Sequence, residues 1–195
     1  MSNEKKKLIV ATGNLGKLKE IKVILSDYEV LGAKEAGFNF DAEENGKDFF
    51  ENAYIKAAAL RKQTDCSVLA DDSGLSVDAL DGAPGIYSAR YAGENATDEE
   101  NVEKLLCALK NVPSKERTAR FFCAICLITK EGETLYGEGS CEGRILEAPM
   151  GNMGFGYDPV FYSLDYEESF GTLSAEKKNA ISHRRRALED LKTKL

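Results

Sequence analysis

The chain has a single histidine, His183, and no excess of basic residues: 26 lysines and arginines stand against 33 aspartates and glutamates, a net charge of −7. One histidine excludes a two-histidine metal site, and no serine or cysteine motif accompanies it for which it could serve as base. The acidic balance argues against a nucleic-acid polymer as partner, because a phosphate backbone is held by Lys and Arg in excess. A small anion carried with a metal stays compatible. No apolar run approaches the roughly 20 residues of a membrane span, and the apolar part of MSNEKKKLIVATG is too short for a signal peptide. The expectation is a soluble, cytoplasmic protein without membrane contact. The five cysteines, Cys66, Cys107, Cys123, Cys126 and Cys141, form no disulfide framework and should be reduced. Cys123 and Cys126 make a C-x-x-C, but no second ligand pair answers it and it lies inside the strand-like run FFCAICLI, so strand packing is the better reading.

What is present is a chain of 195 residues, enough for one domain or two tightly joined lobes, without repeat, low-complexity segment or linker. KLIVA (7–11) reads as a buried strand and TGNLGK as the turn after it. Leu18, Ile21 and Leu25 then recur at helical spacing with Lys17, Lys19 and Lys22 opposite. YEVLGA (28–33) is a second strand, and FDAEENGKD (40–48) an acidic loop. Phe49, Phe50, Ala53, Tyr54, Ala57 and Leu60 place a helix over 47–62, and CSVLA (66–70) reads as a buried strand that stops at the acid pair Asp71 and Asp72. Thr97 and Glu100 form a capping box for a helix near 98–110. Long β segments over 118–129 and 134–145, separated by KEGE, suggest an antiparallel hairpin. MGNMGFGYDP (150–159) is a glycine-rich loop, and a last helix runs from about Ser182 to the C-terminus. Together these predict an α/β architecture with a mixed sheet and flanking helices.

Several residues do not fit a purely structural reading. TGNLGK sits between a strand and a helix, where free N–H groups favour an anion, but it is neither a Walker loop nor G-x-G-x-x-G; a tight turn and a phosphate site are equally compatible. Asp71 and Asp72 repel one another, and a divalent ion shared with Glu43 or Glu44 would supply the missing positive charge. The alternative is that they cap the SGL turn. Successive strand residues face opposite ways, so the two acids need not share a role. Lys56 lies at the edge of its helix's apolar stripe, one turn after Asn52, and could aim its amine at the acids instead of at water. Arg184 falls in the middle of the apolar face of Ala187, Leu188, Leu191 and Leu195, where a guanidinium must find an acid or a carbonyl. Phe155 to Asp158 (FGYD) is either an aromatic-anchored turn or a platform for a heterocycle.

Taken in order and spacing, ATGNLGK, FFENAYIKA, LADDSGLSVDALDGAPGIYSARYAG, GFGYDPVF and KNAISHR resemble the inosine triphosphate pyrophosphatase family, from about residue 8 to residue 190. The resemblance implies one pyrophosphatase domain over residues 1–195, an elongated fold of two lobes around a central cleft, a homodimer, and Mg²⁺ as cofactor. It implies hydrolysis of ITP, dITP and XTP, small-molecule purine nucleotides, to monophosphate and pyrophosphate. By position, Thr12, Gly13, Asn14, Leu15, Gly16 and Lys17 match the triphosphate loop. Glu44 and Asp72 match the metal-associated acids, Asp72 also the proton acceptor, Ser73 a substrate contact and Lys56 the phosphate-binding lysine. Phe155, Gly156, Tyr157, Asp158, Lys178, His183 and Arg184 match the base pocket. Donors from Arg184 and His183 would accept a 6-oxo purine and reject adenine's 6-amino group. An orthophosphate-releasing phosphohydrolase or a non-catalytic nucleotide sensor would be the competing functions.

Overall fold

The computed structural model describes residues 5–195. Strand β1 (Lys7–Val10) leads through a short loop to α1 (Leu15–Ile24), and β2 (Glu29–Gly32) returns beside β1 in parallel, with Leu8 opposite Val30. Helix α2 (Phe49–Arg61) precedes β3 (Ser67–Val77), which pairs in parallel with the other edge of β1, Ile9 opposite Val68. Helix α3 (Asp98–Ala108) starts on the expected capping box, Thr97 with Glu100. The long strands β4 (Thr118–Ile128) and β5 (Thr134–Ile145) are neighbours joined by a tight turn in which Thr129 N–H donates to Glu133 O, a connection that only an antiparallel hairpin allows. Strands β6 (Phe161–Ser163) and β7 (Glu168–Ser169) add antiparallel pairs, and α4 (Ala175–Ile181) and α5 (His183–Lys192) close the chain. The result is one mixed sheet of seven strands in the order β2-β1-β3-β4-β5-β6-β7 with flanking helices, which bears out the α/β mixed-sheet reading. Among the described residues no helix is long and apolar enough to cross a membrane.

The chain forms two compact units. The first comprises the residues up to Asp72 together with Cys123–Gly139 and Arg184–Leu195. Its sheet is covered on both faces, as parallel strands with near-continuous apolar sequence require. Leu8 and Val10 join Leu18, Ile21, Leu188 and Leu191 from α1 and α5 on one face; Ile9 joins Ala53, Ala57 and Leu60 from α2 on the other. Cys123 packs on the first face and Cys126 on the second, and burial pushes both thiols up to about 12, so the C-x-x-C is strand packing. The second unit, Ser73–Phe122 and Ser140–His183, has its own core of Leu75, Leu105, Phe121, Phe161 and Phe170.

Two sequence readings need correction. Strand β3 does not stop at the acids but runs on to Val77, with Asp71 and Asp72 both buried inside it. Burial of charge ends a strand only where no partner neutralises it, and both acids have partners. The TGNLGK segment is not all turn: Asn14 caps the helix by accepting from Lys17 N–H at 3.0 Å, so Leu15, Gly16 and Lys17 are already its first turn. The last helix begins where the sequence placed it, as α5 from His183; what the sequence reading omitted is the preceding α4, which Ser182, in an extended conformation, separates from it.

Gly137 shows how closely α5 lies on the sheet. A Cβ there would collide with Ala187 O and lie 2.8 Å from Leu191 Cβ, backbone and near-backbone atoms that have no room to yield. Gly137→Ala should therefore lower stability by about 1–3 kcal/mol, read as a lower urea midpoint at unchanged m-value.

Candidate active site

The alternation of a strand separates the two acids. Asp71 points to the α1 and α5 side of β3, where Arg184 donates to its Oδ2 from Nε (3.2 Å) and Nη2 (3.0 Å) and Lys17 Nζ lies 3.3 Å from the same oxygen. The remaining guanidinium nitrogen, Nη1, donates to Glu20 of α1. Asp72 points to the α2 side. Its Oδ1 accepts from Lys56 Nζ at 3.1 Å, and its Oδ2 from Asn52 Nδ2 at 3.2 Å. The Lys56 ammonium also reaches Glu44 Oε1 at 3.2 Å, so one cation holds a carboxylate from the strand and one from the acidic loop.

The protein's own cations, Lys17, Lys56 and Arg184, offset the repulsion between Asp71 and Asp72. Burial pushes the Asp71 carboxyl up, but Lys17, Arg184 and Lys56 outweigh it and hold it well below the usual carboxylate range. Arg184 in turn is held above its ordinary value: burial works against the charge, and Asp71 and Glu20 more than compensate. Burial would likewise lower Lys56, and Asp72, Asp71 and Glu44 raise it instead. Asp72 is the exception. Burial raises it, Lys56 and Lys17 pull it down, Glu44 adds to the rise, and the net displacement is upward. In this cluster the cations Lys17, Lys56 and Arg184 meet the carboxylates of Glu20, Glu44, Asp71 and Asp72.

The loop at the head of α1 is arranged for an anion. Asn14 N–H donates to Thr12 Oγ1 and Lys17 N–H to Asn14 Oδ1, while Leu15 and Gly16 occupy the first helical turn, whose N–H groups lack intrahelical partners. A Cβ on Gly13 would meet nothing within 4 Å.

In the second unit Asp158 organises the FGYD loop. Its Oδ2 accepts from Phe155 N–H (2.9 Å) and pairs with Lys178 Nζ (2.6 Å), and that ammonium sits over the Phe155 ring at 4.6 Å. Gly154, with φ of 79°, has no room for a Cβ beside the Asp158 carboxylate. Gly156, with φ of 60°, donates its N–H to Asp98 Oδ2 at 2.7 Å, and Tyr157 OH donates to Ser88 O at 2.8 Å. His183 is buried and stacks on Phe121 at 4.9 Å.

The structure thus brings Lys17, Glu44, Lys56, Asp72 and Arg184 together in the first unit, and Phe155 to Asp158 with Lys178 in the second. Arg184 is engaged by Asp71 and Glu20 rather than by the aromatic loop residues it was grouped with in the sequence. Ser73 follows Asp72 in β3, half-buried, and Glu43 is exposed where Glu44 is paired. Sequence reasoning missed Glu20, Asn52, Ser88 and Asp98. Glu20 left one signal: a carboxylate one turn after Lys17, beside the apolar Ile21.

A sequence profile of the Ham1 family matches residues 8–194. A dITP/XTP pyrophosphatase of Clostridium perfringens is 52% identical over 198 residues, covering 97% of this chain and 97% of that protein. One of Bacillus subtilis is 48% identical over 188 residues, covering 95% of each. Among solved structures, the Staphylococcus aureus Ham1 protein superposes with a TM-score of 0.85 at 46% identity, covering 96% of this chain and 97% of that one. A HAM1 protein from Coxiella burnetii gives the same TM-score at 43% identity, with the same coverage. The resemblance read from the motifs is borne out.

Removing the Arg184 guanidinium takes a hydrogen-bonded cation from two buried acids, so Arg184→Met should destabilise by about 3–5 kcal/mol in urea unfolding. Combining it with Asp71→Asn should recover roughly 0.5–3 kcal/mol of the summed loss. Because the folded Asp71 value is depressed, its contribution is fully present above the unfolded value of about 4 and is lost as pH falls below it. Asp71→Asn should accordingly flatten the acid limb of stability against pH, and an unchanged limb would show the carboxylate is not held by these cations.

Proposed function

The chain belongs to the Ham1 family, and from that we propose that it is a nucleoside triphosphate pyrophosphatase acting on dITP, XTP and ITP. It opens the α–β anhydride to release the nucleoside monophosphate and pyrophosphate, and so clears deaminated purines from the precursor pool. The observation that carries this reading is the Lys56 ammonium held between Asp72 and Glu44, beside a helix N-terminus with an adjacent lysine.

The donor set suits a divalent ion. Mg²⁺ is commonly held by one or two carboxylates and takes its other ligands from water and substrate phosphate. Asp72 and Glu44 already converge on one cation. These two acids would hold Mg²⁺, which supplies Lewis-acid polarisation of the phosphoryl oxygens when bound. The chain's own residues do the rest. Thr12 to Lys17 bind the polyphosphate through N–H groups and the Lys17 ammonium. Lys56 meets the phosphate oxygens and stabilises charge on the leaving group. Asp72 accepts the proton of the attacking water, a task that the upward shift of its carboxyl favours. Ser73, next in the strand, contacts the substrate.

The base falls to Phe155 to Asp158, Lys178, His183 and Arg184. Phe155 offers the face not covered by Lys178. Arg184 would reach the base only by giving up part of its hold on Asp71, so the donor to a 6-oxo group falls first to His183. With this reading go a homodimer, a cytoplasmic location, and one functional domain made of both units.

Purified protein given ITP, XTP, ATP and GTP with Mg²⁺ should yield monophosphate and pyrophosphate, fastest from ITP and XTP, and excess chelator should abolish turnover. Asp72→Asn should keep nucleotide binding and lose at least about 100-fold in kcat. Orthophosphate as product would sink the reading, and binding without turnover in the wild type would favour a sensor.

A further inference from the structure

The acidic loop carrying Glu44 and the strand carrying Asp72 meet at one buried side chain that no role above accounts for. Asn52 lies in the first turn of α2 and is fully inaccessible. Its Nδ2 donates to Asp72 Oδ2 at 3.2 Å, and its Oδ1 accepts from Gly46 N–H at 2.9 Å. An amide is the side chain that can do both at once, since it carries a donor and an acceptor on one rigid plane. The loop end is fastened to the same turn twice more: Lys47 N–H donates to Glu51 Oε2 at 2.8 Å, and Asp48 Oδ1 accepts from Glu51 N–H at 2.9 Å. Gly46 approaches so closely that a Cβ would sit 2.7 Å from Asn52 Oδ1 and 2.8 Å from Asn52 N. Two residues before this anchor stands Glu44, and one turn after Asn52 stands Lys56, whose ammonium joins Glu44 to Asp72.

We propose that Asn52 is a positioning residue for the pyrophosphatase reaction: by bridging Asp72 to the Gly46 backbone it fixes the separation and orientation of the Asp72 and Glu44 carboxylates. The two acids reach the site from different elements, one from a strand inside the sheet and one from a loop with no regular structure of its own. Lys56 attracts both but, as a flexible point charge, does not orient either. The amide plane does. It leaves Asp72 Oδ1 to Lys56 and commits Oδ2 to a neutral donor, which sets the rotation of the carboxylate without adding charge to the cluster. Helix α2 thereby delivers a rigid pair, Asn52 and Lys56, one turn apart on the same face.

The inference rests on the pyrophosphatase reading, and the test separates the two. Wild type, Asn52→Ala, Asn52→Asp and Gly46→Ala are assayed with ITP and Mg²⁺, and amide exchange is followed over residues 40–48 without nucleotide or metal. Loss of a residue that orients a ligating carboxylate costs roughly 10–100-fold in activity or metal affinity. Asn52→Ala should lose that much in kcat with KM for ITP changed by less than about threefold, and exchange in the loop should quicken. Asn52→Asp keeps the acceptor for Gly46 and replaces the donor to Asp72 with a repelling oxygen. It should leave loop exchange near wild type while kcat falls as far as in the alanine variant. Gly46→Ala should quicken loop exchange and lower kcat in the opposite test, from the loop side. Full kcat in a folded Asn52→Asp protein would overturn the positioning role, as would a loss confined to unfolding midpoint. If the wild type itself released no pyrophosphate, the functional reading would fall and the positioning role with it.

Discussion

Two ionised carboxylates on consecutive residues of a buried strand are the constraint around which this protein is built. Taking each into the interior costs several kcal/mol unless well-placed charges and hydrogen bonds compensate. Because Asp71 and Asp72 face opposite sides of β3, the cation that hydrogen-bonds each comes from a different layer of helices. Helices α1 and α5 supply Lys17 and Arg184 to the first acid; α2 supplies Lys56 to the second. Lys17, Arg184 and Lys56 hold the Asp71 carboxyl well below the usual carboxylate range, whereas burial and the neighbouring Glu44 leave the Asp72 carboxyl displaced upward.

The elements that a single segment determines were legible from that segment. The capping box Thr97 with Glu100, the buried run KLIV and the hairpin strands around KEGE appear where local periodicity places them. The errors arose where distant parts of the chain decide. Nothing near Asp71 in sequence says that β3 continues past a charge, because the guanidinium that pairs with that charge, Arg184, lies 113 residues away. Helix α4, seven residues long, offers too short a window for a clear apolar stripe and was not read from the sequence.

The site residues divide the same way. Arg184 announced itself as an anomaly, a guanidinium on an apolar face that had to find an acid, and it found two. Asn52 announced nothing. A polar residue on a helix face is ordinary in sequence, and only its distance to Asp72 and to Gly46 N–H gives it meaning. Asp98 is a parallel case: it reads as a favourable first-turn acid for α3, and the structure adds that it receives the N–H of Gly156 in the aromatic loop. Charge on a buried surface is conspicuous to sequence reasoning because it demands a partner; a neutral hydrogen-bonding residue is not.

Arginine, not lysine, at position 184 follows from the geometry of that partnership. Glu20 lies on α1 and Asp71 on β3, and a planar fork with separate nitrogens can donate to both at fixed angles, which an ammonium on a flexible stem cannot hold. The same link has a topological consequence. The first unit is assembled from three stretches of chain that are far apart in sequence, and its last stretch begins with Arg184 itself. Apolar packing of Ala187, Leu188 and Leu191 would bury α5 against the sheet without fixing its register, since one apolar contact substitutes for another at little cost. A guanidinium that must meet two acids admits one register. The ion network therefore specifies where the last helix sits, and in doing so sets the environment of Lys17 in the first turn of α1.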